Sequence, residues 1–215
     1  MKTEDTKSRI LIKALELFSS RGYDAVSVGE IAKAVGIKAP SLYNHYPSKQ
    51  AIFDAIVKET SDQFTRYTDA IAIHVQSSER DVAVFSEIDE NALVEKVHQI
   101  FDFSLHDSGI ALFRKMMTIE QFRSAELSKL YTERFVERLV AYHAGIFKSL
   151  IASGEIVDED AQTLAVTYVS PILVFMGICD RQPERESECL EKIDAHVRLF
   201  YRTYNRKARK NYEER

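Results

Sequence analysis

Residues Ser27–Lys49 read SVGEIAKAVGIKAPSLYNHYPSK, and the parsing of that stretch decides the fold. Ser27 followed three residues later by Glu30 is a capping box, in which the hydroxyl and the carboxylate each satisfy a backbone N–H that a first helical turn leaves free. Ile31, Ala32 and Val35 then recur at helical spacing, and Gly36 stands where a helix ends in a left-handed residue. Pro40 is tolerated in a helix only in its first turn, which predicts a short helix from about Ala39 to Tyr46. Two short helices joined by a tight glycine-containing turn are the physical content of a helix-turn-helix, and Ile31, Ala32, Val35, Ile37 and Leu42 are small or branched enough to let them cross closely. Outward from the second helix point Ala39, Ser41, Tyr43, Asn44 and His45. These are short or hydrogen-bonding groups rather than a salt-bridged face, and they suit a recognition helix lying in the major groove.

Helical periodicity extends both ways from this segment. Upstream, Leu11, Ala14, Leu15 and Phe18 form one stripe, closed by Gly22. Downstream, Pro47-Ser48 restarts the chain into a long helix with Ile52, Ile56, Phe64, Tyr67, Ile71 and His74 on one side. The acid-rich stretch Ser77 to Asn91 is read as a linker, with a small extra helix or a mobile lid both open. Leu93, Val97, Ile100, Phe101 and Leu105 mark the next helix, closed by His106-Asp107-Ser108-Gly109, and Ile110 to Phe122 a shorter one. Ser124 is an N-cap for a long helix to Ile151, ended by Ser153-Gly154. Asp158 to Cys179 and Glu184 to about Lys207 complete the set. Seven Gly and four Pro in 215 residues cannot punctuate an all-β fold, so the chain is expected to be all-α.

The net charge of −4 excludes a uniformly basic nucleic-acid binder, but it averages two unlike parts. Residues 1–50 carry eight Lys+Arg and five Asp+Glu, a net +3, and the remainder is −7. A basic head on an acidic body suits local, oriented DNA binding. Two cysteines, Cys179 and Cys189, are no disulfide framework and are read as reduced thiols of a cytoplasmic protein, a redox switch being the minority reading. The start, Met1-Lys2-Thr3-Glu4-Asp5, has no apolar core of a signal peptide. Ala161 to Cys179 lacks charge over 19 positions, yet Gln162, Thr163, Thr167, Tyr168, Ser170 and Pro171 interrupt it without basic flanks. It is read as a buried helix, with no membrane expected.

The segment from about residue 8 to 56 resembles the DNA-binding domain of the TetR/AcrR family of bacterial transcriptional regulators. The resemblance rests on Ser27, Ile31-Ala32, Ala34, Gly36-Ile37, Ser41-Leu42-Tyr43, Tyr46 and Ser48-Lys49. It implies an all-α chain with a three-helix helix-turn-helix head over 1–50, followed by a larger helical ligand-binding and dimerisation domain over 51–215. It implies that Ser27, Tyr43 and Lys49 contact phosphates while Ala39, Pro40, Ser41, Asn44 and His45 face bases. Ala39 and Pro40 can offer only apolar contact, as to a thymine methyl. Lys38 stands beside them where a small capping residue is commoner. The partners implied are a palindromic double-stranded DNA operator, a second copy of the chain and a small apolar or amphipathic effector, with the chain acting as a repressor.

No Gly-rich phosphate loop, Gly-x-Ser-x-Gly or Cys/His metal spacing is present, so neither an enzyme nor a cofactor is expected. The rival reading is a helical ligand-binding protein or enzyme whose helix-turn-helix is unused. Glu95-x-x-His98 has di-iron spacing but no second such pair, and Asp194-Ala195-His196 is read as surface. Phe64, Tyr67, Phe101, Phe113, Met117, Tyr131, Phe135, Tyr168 and Phe175 are candidates to line an effector pocket, with Gln63, His98 and Tyr168 as orienting polar groups. The uncharged helix is apolar nearly all round and needs cover on every side. Helices near 158–179 and 184–207, the latter striped by Leu190, Ile193, Val197, Phe200, Tyr201 and Tyr204, are therefore expected to meet their copies in a homodimer. The cations after Phe200 (Arg202, Arg206, Lys207, Arg209, Lys210 and Arg215, against Glu213 and Glu214) are read as a solvated helix end.

Overall fold

The computed structural model describes residues 2–213; Met1, Glu214 and Arg215 lie outside the described residues, as do the side chains of 2–5 and 211–213. It contains α1 (Lys2–Arg21), α2 (Val28–Val35), α3 (Ala39–Tyr43), α4 (Lys49–Ala70), α5 (Ser78–Glu87), α6 (Glu90–His106) and α7 (Ser108–Glu120). These are followed by α8 (Ala125–Thr132), a π-helical turn (Glu133–Glu137), α9 (Arg138–Ala152), α10 (Ala161–Arg181), α11 (Glu186–Tyr204) and α12 (Arg206–Glu213). No β-strand occurs among the described residues, and the fold is all-α.

The chain forms two compact units. The first takes residues up to Tyr67 together with His106–Tyr131, and the second takes Thr68–Leu105 with residues from Thr132 on. These units do not follow a cut at residue 50, because α7 packs along α1 and so joins the head's own unit. The first core contains Ile10, Ala14, Leu15, Phe18, Ile31, Val35, Leu42, Ile52 and Ile56, joined by Phe113, Met116 and Met117. Each large side chain buried there contributes about 1.5–3 kcal/mol. The second core runs through Leu93, Val97, Phe101, Ile146, Phe147, Tyr168, Ile193, Val197 and Phe200.

Several boundaries differ from the sequence expectation, each for a local reason. α4 ends at Ala70, short of Ile71 and His74. There Ala72 adopts φ +57° and the Ile73 N–H bonds back to the Thr68 carbonyl at 2.8 Å, closing the helix while Ile73 turns into the core. The stretch after Ser77 forms α5. The expected helix from Ser124 to Ile151 is interrupted by the π-helical turn, although Ser124 Oγ does accept from the Leu127 N–H. The last helix breaks at Asn205, which is extended and bridges to Ile156.

α10 is long and apolar enough to cross a membrane, and 28% of that window is buried within the chain. Within the chain the helix is covered on one side: Leu164, Ala165, Tyr168 and Val169 face the core, while Val166 and Val174 are 48% and 59% exposed. Arg202, Arg206, Lys207, Arg209 and Lys210 in the tail are exposed, and two of them also make contacts within the chain. Arg202 holds Glu90 through both Nε and Nη2, and Arg206 Nε donates to the Ile156 carbonyl.

Candidate nucleic-acid interface

The head is built by satisfying backbone groups at each break. Ser27 Oγ accepts from the Glu30 N–H while Glu30 Oε2 accepts from the Ser27 N–H, so α2 begins on the expected capping box. The Glu30 carboxyl is held down to about 2, first by that Ser27 N–H and then by Arg21. Gly36 takes φ +79°, and the Ile37 N–H returns to the Ala32 carbonyl at 2.9 Å. Arg9 reaches from α1 to the Val35 carbonyl at 2.6 Å and caps the same end.

α3 is shorter than expected, at five residues. Leu42, fully buried, anchors it to α2, and the rest of the helix is turned outward. Pro40, Ser41, Tyr43 and Asn44 are exposed, as are Lys38 and Ser27, whereas Ala39 and His45 are half-buried. Lys38 is the N-cap but makes no side-chain cap bond; its carbonyl accepts from Ser41 and Leu42. The outward face presents hydroxyl, phenol and amide groups with no carboxylate among them, chemistry suited to phosphate oxygens and base edges.

Lys49 sits differently from a solvated first-turn lysine. Its Nζ donates to the Tyr23 carbonyl at 2.9 Å and the Val26 carbonyl at 3.0 Å, and lies 4.2 Å from the centre of the Tyr23 ring. Two of its three donors therefore tie α4 to the loop between α1 and α2. Tyr23 itself packs against Phe18, with the rings tilted, and edge-on against Phe53. From the other side, Glu120 on α7 accepts from the Tyr23 N–H at 2.8 Å. Sequence reasoning missed Glu120 and Arg9, because neither carries a local motif and both act on backbone groups far along the chain.

The residues proposed to line an effector pocket divide between the units. In the first unit, Phe113 and Met117 are core residues, Phe64, Tyr67 and Tyr131 are half-buried, and Gln63 donates to Asp107, the N-cap of α7, at 2.8 Å. In the second unit, Phe101 is buried, Phe135 is half-buried, Phe175 packs against the core, and His98 Nε2 meets Asp194. Asp194 and His196, read as surface, are both half-buried, and His196 Nε2 lies 2.9 Å from the Tyr168 carbonyl. A cavity of about 40 Å3 in the second unit is lined by Phe85, Phe147, Tyr168, Phe200, Tyr204 and Glu155, among others. Of the sequence candidates only Tyr168 borders it.

Comparison with known proteins bears on the same segment. The pattern describing bacterial regulatory proteins of the tetR family matches residues 10–56. The negative transcriptional regulator IcaR of the biofilm operon icaADBC in Staphylococcus aureus is 46% identical over 52 residues, covering 24% of this chain and 28% of IcaR. Its Staphylococcus epidermidis counterpart is 40% identical over 58 residues, 27% of this chain and 31% of that one. The chain thus matches under a third of the length of these relatives. Among solved structures, a putative TetR-family regulator from Mesorhizobium loti superposes with a TM-score of 0.68 at 21% identity, over 95% of this chain and 99% of that one. SmeT in complex with triclosan gives 0.67 at 16% identity, over 94% and 92%. Residues 10–56 thus match the tetR family of bacterial regulatory proteins, and the fold along the rest of the chain is similar to that of the solved structures.

Proposed function

We propose that this chain is a sequence-specific DNA-binding transcription regulator, a repressor that leaves a palindromic operator when a small apolar or amphipathic ligand binds. The observation that carries the reading is the α3 face, which exposes Ser41, Tyr43 and Asn44 on a helix anchored by buried Leu42. In it Ser27, Tyr43 and Lys49 hold phosphates, Lys49 through its remaining donor, while Ala39, Pro40, Ser41, Asn44 and His45 face bases and Lys38 lies at their edge. Support comes from IcaR, described as a negative transcriptional regulator, and from SmeT, the repressor of a Stenotrophomonas maltophilia multidrug efflux pump, solved with triclosan. The regulator acts in the cytoplasm as a homodimer through α10 and α11, and its two heads meet half-sites one helical turn apart, about 34–36 Å.

The residues proposed to meet the effector are Gln63, Phe64, Tyr67, Phe113, Met117 and Tyr131 in the first unit, and His98, Phe101, Phe135, Tyr168 and Phe175 in the second. It acts only by binding one head arrangement better than the other, with a coupling of about 1–3 kcal/mol. The test is selection of bound sites from random DNA, followed by salt titration of the selected site. A steep fall in affinity with salt is expected from phosphate neutralisation. Tyr43→Ala should weaken binding to every sequence, and Asn44→Ala should shift the preferred bases. Salt-independent or unselective binding would reject the reading and favour a helical protein with an unused head.

A further inference from the structure

The chain has two cysteines, ten positions apart, and the fold brings both to one place. Cys179 lies near the end of α10 and Cys189 in the first turns of α11. The two helices pack along each other, and both side chains are buried in the second unit's core, at 3% and 1% exposure. Both belong to the same core cluster, where α10 meets α11. We propose that Cys179 and Cys189 form a reversible dithiol–disulfide pair, closed within one protomer by hydrogen peroxide.

The chemistry balances with that oxidant alone. One sulfur attacks a peroxide oxygen, breaking the O–O bond, and becomes a sulfenic acid as the first water leaves. The neighbouring thiol sulfur then displaces the hydroxyl as a second water and forms the S–S bond. Two thiols and one hydrogen peroxide give one disulfide and two waters, and an external dithiol reverses the reaction by exchange. The resolving thiol lies in the same core cluster on the packed neighbouring helix, so the sulfenic acid has a partner close by. Burial in turn makes the first step slow: it pushes the Cys179 thiol up to about 12, and the neighbouring Cys189 adds to the rise. Thiolate is scarce at neutral pH, and closure should quicken about tenfold per pH unit. The pair therefore records sustained oxidation rather than a brief pulse. The bridge would staple the α10–α11 hairpin, and its effect on the dimer rests on the function proposed above; its formation does not.

The test treats the reduced full-length protein with one to several equivalents of hydrogen peroxide. Remaining thiols are then alkylated under denaturing conditions, and intact mass and peptide maps are read. The expected product is a protomer lighter by two hydrogens, cross-linked between residues 179 and 189, resistant to alkylation and restored by dithiothreitol. It should melt higher than the reduced protein, because an 11-residue loop is closed in the unfolded chain. Full alkylation of both cysteines, oxygen added to one without a bridge, or cross-links only between protomers would each overturn the proposal. Cys179→Ala and Cys189→Ala are read singly, so that one folded variant suffices, and either must abolish the cross-link. Size exclusion of the bridged form reports separately on the dimer.

Discussion

Glu120, at the end of α7, accepts the backbone N–H of Tyr23 at 2.8 Å from 97 positions along the chain. The carboxylate is 1% exposed. Arg123 lies 3.6 Å from its other oxygen and also reaches Asp24, so α7 grips the loop that leads into α2. Glu120→Ala leaves the Tyr23 N–H without that acceptor and should cost about 1–3 kcal/mol of unfolding free energy. Glu120→Gln keeps an acceptor oxygen and should recover part of the loss. Urea unfolding checks both; equal losses would mean that charge, not the hydrogen bond, carries the contact.

Lys49 has a structural task and a proposed DNA task, and they separate by measurement. Lys49→Met removes the bonds to the Tyr23 and Val26 carbonyls and the ring contact, and should lower stability by about 1–3 kcal/mol. If the third donor also meets a phosphate, the slope of log affinity against log salt should flatten by about 0.9. A stability loss with an unchanged salt slope would leave Lys49 as a tether alone.

The head was legible because its breaks carry residues with narrow backbone tolerance: Ser27 and Glu30 at a cap, Gly36 in the left-handed region, Pro40 in a first turn. The second unit was less so. Nothing in Glu133–Glu137 marks a π turn, since no Gly or Pro stands there and the apolar pattern continues through it. Ala72 closes α4 in a conformation usually left to Gly or Asn, so the stripe seemed to run on to His74. The intrachain contacts of Lys49, Arg202 and Arg206 were not legible because periodicity reports neighbours along a helix, not carbonyls and carboxylates brought up by the tertiary fold. The exposed face of α3 could be read; the bonds that hold α3 in place could not.

Asp81 is fully buried and serves three donors: the His74 N–H at 2.6 Å, the His74 ring and the Tyr142 hydroxyl. Burial pushes its carboxyl up, but the bonds from His74 and Tyr142 prevail and hold it below its ordinary value. Asp81→Asn replaces one acceptor oxygen by a donor facing donors. A loss of about 3–5 kcal/mol is expected, as for breaking a buried charged contact. Thermal unfolding checks this, and a near-neutral variant would show that His74 and Tyr142 find other partners.

His143 packs against the rings of Phe85, Tyr142, Phe147 and Tyr168. Loss of hydration drives its pKa down to about 4, against a partial rise from the Leu139 carbonyl. The unfolded chain, with an ordinary His near 6.5, therefore binds more protons between those values. Stability is full above about pH 6.5 and falls as pH drops toward about 4, by up to about 3 kcal/mol. Asp81 and Glu90, both held below their ordinary values, act lower on the scale. Unfolding measured across this window should slope downward in the wild type and flatten in His143→Gln; equal slopes would assign the acid sensitivity elsewhere.

Val174 on α10 and Leu199 on α11 are 59% and 66% exposed. Apolar groups this open on two adjacent helices are the ground for proposing a dimer there. Val174→Glu would place a carboxylate opposite its copy or its copy's apolar neighbours, desolvated and repelled. Light scattering should then report a monomer with helical circular dichroism intact, because the side chain supports little of the protomer's own core. Operator affinity should fall about a hundredfold or more, since two linked heads gain effective concentration that one head lacks. A dimer that persists with Val174→Glu and with Leu199→Glu would place the interface on other helices. A monomer that keeps full operator affinity would instead remove the two-headed reading of the palindrome.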